Sequence, residues 1–293
     1  MLYSIIDIGS NTVKLAVLDG EKIFSPVPVF FKATAMGLRS KVENGSLKES
    51  AIEELCALIA EYLKTARRLT DTTPIAFATA SIRGLGNTEE ILNRIWQETG
   101  LTVELISGET EALYSFLGAR GSLPVKAGIS VDLGGGSTEI VSFRKNQVID
   151  SVSLPFGCLT LYMKFFDGDR FEYDACCAYI REHLKKSAPK MPGKSILVSG
   201  GSSKAILKYK NILENKKTHS IGTAQFRRIL RHYRYGDEKS RAKLEIVLKD
   251  RYRLVPAALA VFSQIASFYG RDQVLVCRHG VREGCLYHHL QKK

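Results

Sequence analysis

Three glycine turns and a small set of carboxylates are the residues here whose types and spacing could do chemistry. Residues 4–18, SIIDIGSNTVKLAVL, align without a gap to residues 129–143, ISVDLGGGSTEIVSF. Asp7 falls on Asp132, Gly9 on Gly134, Thr12 on Ser137 and Leu15 on Ile140. Each copy reads as an apolar strand, an Asp, a glycine turn with hydroxyl or amide side chains, and a second strand. Glycine lets a backbone turn tightly and approach a ligand, so successive N–H groups can converge on one oxyanion. Gly9, Ser10, Asn11 and Thr12 are therefore candidate phosphate-binding residues, as are Gly134, Gly135, Gly136 and Ser137, with Thr138 adding a hydroxyl. Asp7 and Asp132 stand at strand ends, where a carboxylate can hold a divalent cation, Mg²⁺ or Mn²⁺, beside phosphates. Two such turns related by a pseudo-twofold could grip successive phosphates from opposite sides.

A third turn, Gly200-Gly201-Ser202-Ser203-Lys204, follows the strand SILV and leads into a helix. Such a turn presents free N–H groups and the positive end of a helix dipole, which makes Gly201 and Ser202 candidate phosphate donors. It has neither P-loop nor GxGxxG spacing, so its weight comes from the other two turns. Glu109 and Glu111 open a helix, two positions apart and so pointing in different directions. Either could activate a water; the structural alternative is an acid that complements the helix dipole, the reading preferred for Glu109. Glu139 shares a strand face with Val141 and Phe143, and a carboxylate there needs a metal or a basic partner. Lys14 occupies the equivalent place in the first copy, where a phosphate contact and a structural ion pair are both open.

The elements that must position these groups alternate between strands and helices, as in layered α/β folds. Ser46-x-x-Glu49 has the form of a capping box, predicting a helix from about Leu47 to Arg68. The strand PIAFATA leads to a loop with Arg83, Gly84 and Gly86. A helix opening at Thr88 and ending at Gly100 comes next, then the strand LTVELI and the helix that Glu109 and Glu111 begin. Beyond Gly201 the chain reads as mostly helical until the strand QVLVC and a last helix. With 293 residues, two domains are expected, and Pro124 in a short connector puts the boundary between 1–122 and 123–293.

Composition is that of a globular chain, 45% hydrophobic with mean hydropathy −0.06. It contains no apolar run of membrane-spanning length, and the N-terminus lacks the features of a signal peptide. A cytoplasmic location is expected. The six cysteines include no CxxC pair, and reduced thiols are the expected state. The histidines lack metal-ligand spacing; His279 suits a loop hydrogen bond and the others suit the surface. Charge is asymmetric: residues 1–122 hold 12 basic and 15 acidic side chains, residues 123–293 hold 30 and 15. A one-sided positive field concentrates a polyanion.

The motifs DIGSNT (7–12), ATASIRGLGN (78–87), ISGETEA (106–112), VDLGGGSTEI (131–140) and GGSSKAI (200–206), with HGVREG (279–284), resemble the exopolyphosphatase / guanosine-pentaphosphate phosphohydrolase family. The resemblance spans nearly the whole chain and is to the short, two-domain form. It implies two actin-like (ribonuclease H-like) α/β domains with the active site in the cleft between them. Carried over by position, Glu111 matches the carboxylate that activates the attacking water, and Asp132 and Glu139 match carboxylates associated with the cation. Arg83 matches an arginine that contacts substrate phosphate. Two departures stand out. Lys204 replaces a commoner arginine, and DRYRLVPAAL carries Arg253 where the family usually has an acid.

The function so implied is metal-assisted release of terminal orthophosphate from inorganic polyphosphate, with guanosine pentaphosphate as the alternative substrate. A sugar or acetate kinase of the same fold group would be identified by ATP-dependent phosphorylation of a small acceptor, and a non-catalytic polyphosphate sensor by binding without turnover. The Glu of ISGETEA argues against the kinase and the intact carboxylates against the sensor. Neither a membrane nor nucleic acid is an expected partner; a homodimer is compatible with the sequence.

Overall fold

The computed structural model describes residues 1–22 and 28–291. The first half runs β1 (Leu2–Ile8), β2 (Thr12–Asp19), β3 (Pro28–Ala35), a two-residue ribbon of β4 (Val42–Glu43) and β5 (Ser46–Leu47), α1 (Glu49–Arg67), β6 (Ile75–Ala78), α2 (Thr88–Thr99), β7 (Glu104–Leu105) and α3 (Gly108–Arg120). The second half runs β8 (Ala127–Leu133), β9 (Thr138–Arg144), β10 (Gln147–Leu154), α4 (Cys158–Phe165), α5 (Tyr173–Ser187), β11 (Ser195–Ser199), α6 (Gly201–Glu214), β12 (Ser220–Gly222), α7 (Thr223–Tyr235), α8 (Glu238–Leu248), α9 (Val255–Phe268), β13 (Gln273–Val276) and α10 (Val281–Gln291).

The sequence repeat is also a repeat of topology. The first sheet has the order β3-β2-β1-β6-β7 and the second β10-β9-β8-β11-β13-β12. In each, an antiparallel hairpin is flanked by a third antiparallel strand and continued by two parallel strands, and the second sheet adds β12 antiparallel at its far edge. The glycine turns thus follow the carboxyl ends of β1, β8 and β11, the edge at which open α/β sheets bind ligands.

Helix α3 holds the two sheets together. Ala112, Phe116 and Ala119 pack with Val141, Phe143 and Leu197 of the second sheet, while Tyr114 packs with Ile5 and Phe77 of the first. The final helix returns to the first sheet, placing Cys285 and Leu286 in the cluster with Tyr3 and Ile5. It crosses α3 so closely that a Cβ on Gly284 would lie 1.7 Å from the Tyr114 carbonyl oxygen.

Several sequence expectations need correction. The Ser46–Glu49 capping box does not form: Lys48 is the N-cap and Ser46 lies in β5. The reason is Asn87, whose side-chain amide brackets Leu47 (Leu47 N donates to Oδ1 at 2.9 Å, Nδ2 donates to Leu47 O at 3.0 Å) and holds it extended. The LTVELI segment forms only the two-residue strand β7. Several histidines are half-buried at the surface rather than free on it: His183 and His288 pack edge-on or tilted against Phe156 and Tyr114, and His232 hydrogen-bonds the Tyr209 hydroxyl at 3.1 Å. All six cysteines are free and buried. Among the described residues, no helix is long and apolar enough to cross a membrane.

Candidate active site

The first two glycine turns meet face to face. A Cβ on Gly136 would lie 2.8 Å from Ser10 Oγ, and one on Gly135 would lie 3.2 Å from Ser10 Cβ, so side chains at either position would crowd the approach of the two turns. Each turn has its carbonyls tied backwards into the protein. Ser10 O accepts from Arg39 N, and Asn11 O from Met36 N and Gly37 N; Gly134 O accepts from Cys158 N, and Gly135 O from Leu159 N and Thr160 N. With the carbonyls pinned behind, the N–H groups of Ser10, Asn11, Gly135 and Gly136 have no backbone acceptor among the described residues. They border a cavity of about 90 Å³ that Gly9, Thr12, Gly134, Ser137, Gly200 and Gly201 also line. Gly200, at φ +102° and 2.5 Å (as a Cβ) from the Leu133 carbonyl, allows α6 to begin there.

Glu111 also lines this cavity. Ser107 caps α3 by accepting from Thr110 N at 3.1 Å, so the first helical turn points Glu111 inward, buried, and leaves Glu109 exposed. Arg83 Nη2 lies 3.6 Å from Glu111 Oε2, and its Nη1 donates to Ile106 O at 2.9 Å. Arg83 therefore stands behind Glu111 rather than in the cavity wall. Burial, then the charges of Glu139 and Asp132, hold the Glu111 carboxyl well above the usual range.

The two hairpins place unlike pairs at the equivalent cross-strand position. Asp7 opposes Lys14 and Asp132 opposes Glu139. Asp7 Oδ2 receives Lys14 Nζ at 2.9 Å and Arg282 Nη1 at 3.3 Å. Burial would raise the Asp7 carboxyl, but these two cations outweigh it and hold it low. Asp132 is raised by burial, against the opposing hydrogen bond from Ser199 Oγ at 2.6 Å. Glu139 is buried across the strand pair from Asp132, accepts Ser153 Oγ at 2.9 Å, and is pushed up to about 7 by burial and by Asp132.

The sequence-predicted residues are mostly brought together, with exceptions. Ser202 is turned away: buried, it accepts a weak hydrogen bond from the Cys158 thiol at 3.4 Å. Thr138 donates its hydroxyl to the Phe156 carbonyl at 2.6 Å. Two cations were missed by sequence reasoning. Arg251 Nη2 reaches Thr12 Oγ1 at 3.3 Å and its guanidinium packs on Gly201; Arg282 holds Asp7. Arg282 lay inside the HGVREG motif, which was a signal; nothing local distinguished Arg251 from its basic neighbours. Beyond the glycine turns the cleft widens to a compartment of about 600 Å³, lined on one side by Lys204, Arg251, Arg278 and Arg282 and on the other by Phe31, Ala33 and Ala35.

A divalent cation fits this donor set only in part. Glu111 Oε2 and Glu139 Oε2 are buried without a hydrogen-bond partner among the described residues, and Asp132 faces the cleft. Among the described residues no group of three or more His, Cys, Asp or Glu side chains is arranged to hold a metal by itself, and Asp7 is already neutralised. The arrangement suits an ion that arrives with phosphate oxygens and takes one or two carboxylates from the protein, as Mg²⁺ does.

Comparison with known proteins agrees with this architecture. The sequence model of the Ppx/GppA phosphatase family matches residues 29–293. The chain is 26% identical over 309 residues to exopolyphosphatase 1 of Mycobacterium tuberculosis, covering 100% of this chain and 89% of that protein. A shorter alignment to exopolyphosphatase 1 of Mycobacterium leprae reaches 31% over 172 residues, covering 58% and 51%. The crystal structure of the Aquifex aeolicus Ppx/GppA family member superimposes with a TM-score of 0.83 at 28% identity, covering 100% of this chain and 98% of that one. An exopolyphosphatase from Cytophaga hutchinsonii shares the fold, with a TM-score of 0.88 at 20% identity and coverage of 100% and 98%.

Proposed function

Since the chain belongs to the Ppx/GppA phosphatase family and is a phosphoanhydride hydrolase, we propose that its reaction is release of terminal orthophosphate from inorganic polyphosphate, with Glu111 as the base. The observation that carries this reading is the pair of opposed turns whose uncommitted N–H groups face a buried carboxylate. Ser10, Asn11, Gly135 and Gly136 hold the oxygens of the terminal phosphoryl group, and preorganised donors of this kind stabilise charge as it develops. Lys14 and Arg251 add positive charge beside them. Glu111 takes the proton of the attacking water, a role served by a carboxyl raised toward the working pH. Arg83 fixes its orientation. Asp132 and Glu139 would hold Mg²⁺ or Mn²⁺, which supplies charge neutralisation on the phosphate oxygens.

The wider compartment favours guanosine pentaphosphate as a second reading. Its apolar side, with the Arg282 guanidinium 5.2 Å from the centre of the Phe31 ring, offers a surface that a bare phosphate chain does not use but a nucleobase does. The test is phosphate release from long-chain polyphosphate and from guanosine pentaphosphate, measured in parallel with Mg²⁺ and with chelator. A higher kcat/KM on polyphosphate supports the first reading. Turnover of the nucleotide alone replaces it with the second.

A further inference from the structure

A second cationic pocket lies at the far end of the second sheet. It has a volume of about 310 Å³ and is lined by Lys194, Lys210, Gln225, Arg271 and Asp272. Lys194 immediately precedes β11, and Asp272 immediately precedes β13, which runs parallel to β11. The catalytic turn at Gly200 and Gly201 follows the other end of β11. Five residues of strand at ~3.3 Å each separate the two places by about 17 Å.

The cations here are poorly compensated. Among the described residues the Arg271 side chain makes one hydrogen bond, from Nη2 to the Gly193 carbonyl at 3.4 Å, and its Nε is buried with no acceptor. Lys194 is exposed and forms no ion pair among the described residues. Gln225 Nε2 donates to Glu214 Oε1 at 3.3 Å, and the exposed Arg228, three residues further along α7, lies outside the pocket lining with its charge acting on the same Glu214 carboxylate. Lys210 is nine-tenths buried and is matched by Glu214 at 2.8 Å. Helix α7 starts at this pocket with Gly222 as its N-cap; Thr223 N donates to the Asp272 carbonyl at 2.8 Å, and Gly222 brings no side chain to the N–H groups that follow. The Arg271 guanidinium, the unpaired Lys194, Lys210 and the start of α7 surround this concavity, where the cations outnumber the carboxylates of Glu214 and Asp272, and together they form a receptor for a tetrahedral dianion.

We propose that this pocket is a second, non-catalytic binding site for a phosphate group. Two sources share that chemistry: orthophosphate released in the cleft, and a phosphate within the remote part of a polyphosphate chain whose end is in the cleft. The chain source rests on the proposed function; binding of phosphate as such does not.

The experiment uses the full chain carrying Glu111→Gln, to stop turnover, and titrates tripolyphosphate and orthophosphate separately by calorimetry. Two sites are expected for tripolyphosphate, one of which weakens at least tenfold when Lys194→Gln and Arg271→Gln are added. Orthophosphate at that same site identifies the product as the ligand; tripolyphosphate alone identifies the chain. A single site, or two sites that the pocket substitutions leave unchanged, overturns the proposal. If the Arg271 variant does not fold, Lys194→Glu alone must weaken the second site at least threefold, and an unchanged affinity there overturns it equally. Failure of the wild-type protein to release phosphate from any polyphosphate would sink the functional reading while leaving this titration to be judged by itself.

Discussion

Asp132 and Glu139 oppose one another across β8 and β9 at the register position that Asp7 and Lys14 occupy across β1 and β2. The duplication thus holds a satisfied ion pair in one hairpin and two like charges in the other. Like charges directly opposite on a sheet are unfavourable, and burial removes the water that would screen them. The second pair is relieved by a proton or by a cation, and Glu139 is accordingly pushed up to about 7.

A pH dependence of stability follows. A carboxyl whose pKa is raised on folding contributes stability that is fully present below its ordinary value of 4.5 and is lost as pH rises through about 7. In chelator, the wild-type Tm should fall between about pH 5 and 8, with Glu139 accounting for up to ~3 kcal/mol. Glu139→Gln should flatten part of that slope and raise Tm at pH 8. A Tm profile identical to wild type would show that Glu139 does not carry the buried proton.

Ser199 Oγ donates to Asp132 Oδ1 at 2.6 Å and lies 3.2 Å from Ser115 Oγ. Ser115 is four residues beyond Glu111 on α3, so this relay joins the helix of the proposed base to the strand of the opposing carboxylate. Removing a donor from a buried carboxylate costs about 1.5–3 kcal/mol. Ser199→Ala should raise the Asp132 pKa and shift the acid limb of the kcat/KM–pH profile upward. Ser199→Thr retains a donor and should restore the limb. An unmoved limb in the alanine variant would reduce Ser199 to packing.

Glu111→Gln keeps the shape of the side chain and removes its basicity. General-base catalysis contributes about 10²–10⁴-fold, so phosphate release should fall by that factor while polyphosphate binding persists. Turnover within threefold of wild type would assign the proton transfer elsewhere.

How much of this was legible in the sequence depends on the range of each interaction. The paired turns were readable because a hairpin encodes its own register: strand, Asp, turn and strand are contiguous, and the repeat doubles the signal. Glu111 and Glu109 were separable because residues two apart on a helix diverge. By contrast, the Arg251–Thr12 and Arg282–Asp7 contacts join residues far apart in the chain, and no local spacing announces them. Asn87 overrode the Ser46–Glu49 cap in the same way, by clasping Leu47 from a loop forty residues away. The inward Ser202 illustrates a further limit. Composition marks a serine after a glycine pair as a phosphate donor, but the helix phase set at Gly201 decides which way its hydroxyl points.

The basic second half of the chain provides a test of substrate length. Arg227 and Arg231 are exposed on α7 and form no ion pair among the described residues. Their i, i+4 spacing puts both on one stripe, so they act as a single patch. If that patch guides a long polyanion, affinity grows with chain length and falls steeply with salt, since a longer ligand releases more counterions; the nucleic-acid analogue has a log–log slope that increases with the number of phosphates contacted. Arg227→Glu combined with Arg231→Glu should then lower kcat/KM for long polyphosphate at least tenfold at low salt. Guanosine pentaphosphate, whose charge is confined near the cleft, should lose less than threefold. Measuring kcat/KM for both substrates across a salt series separates a guiding surface from a solvated one. Equal losses on both substrates, or a flat salt dependence for the long chain, would remove the guiding surface and shift the balance toward the nucleotide as substrate.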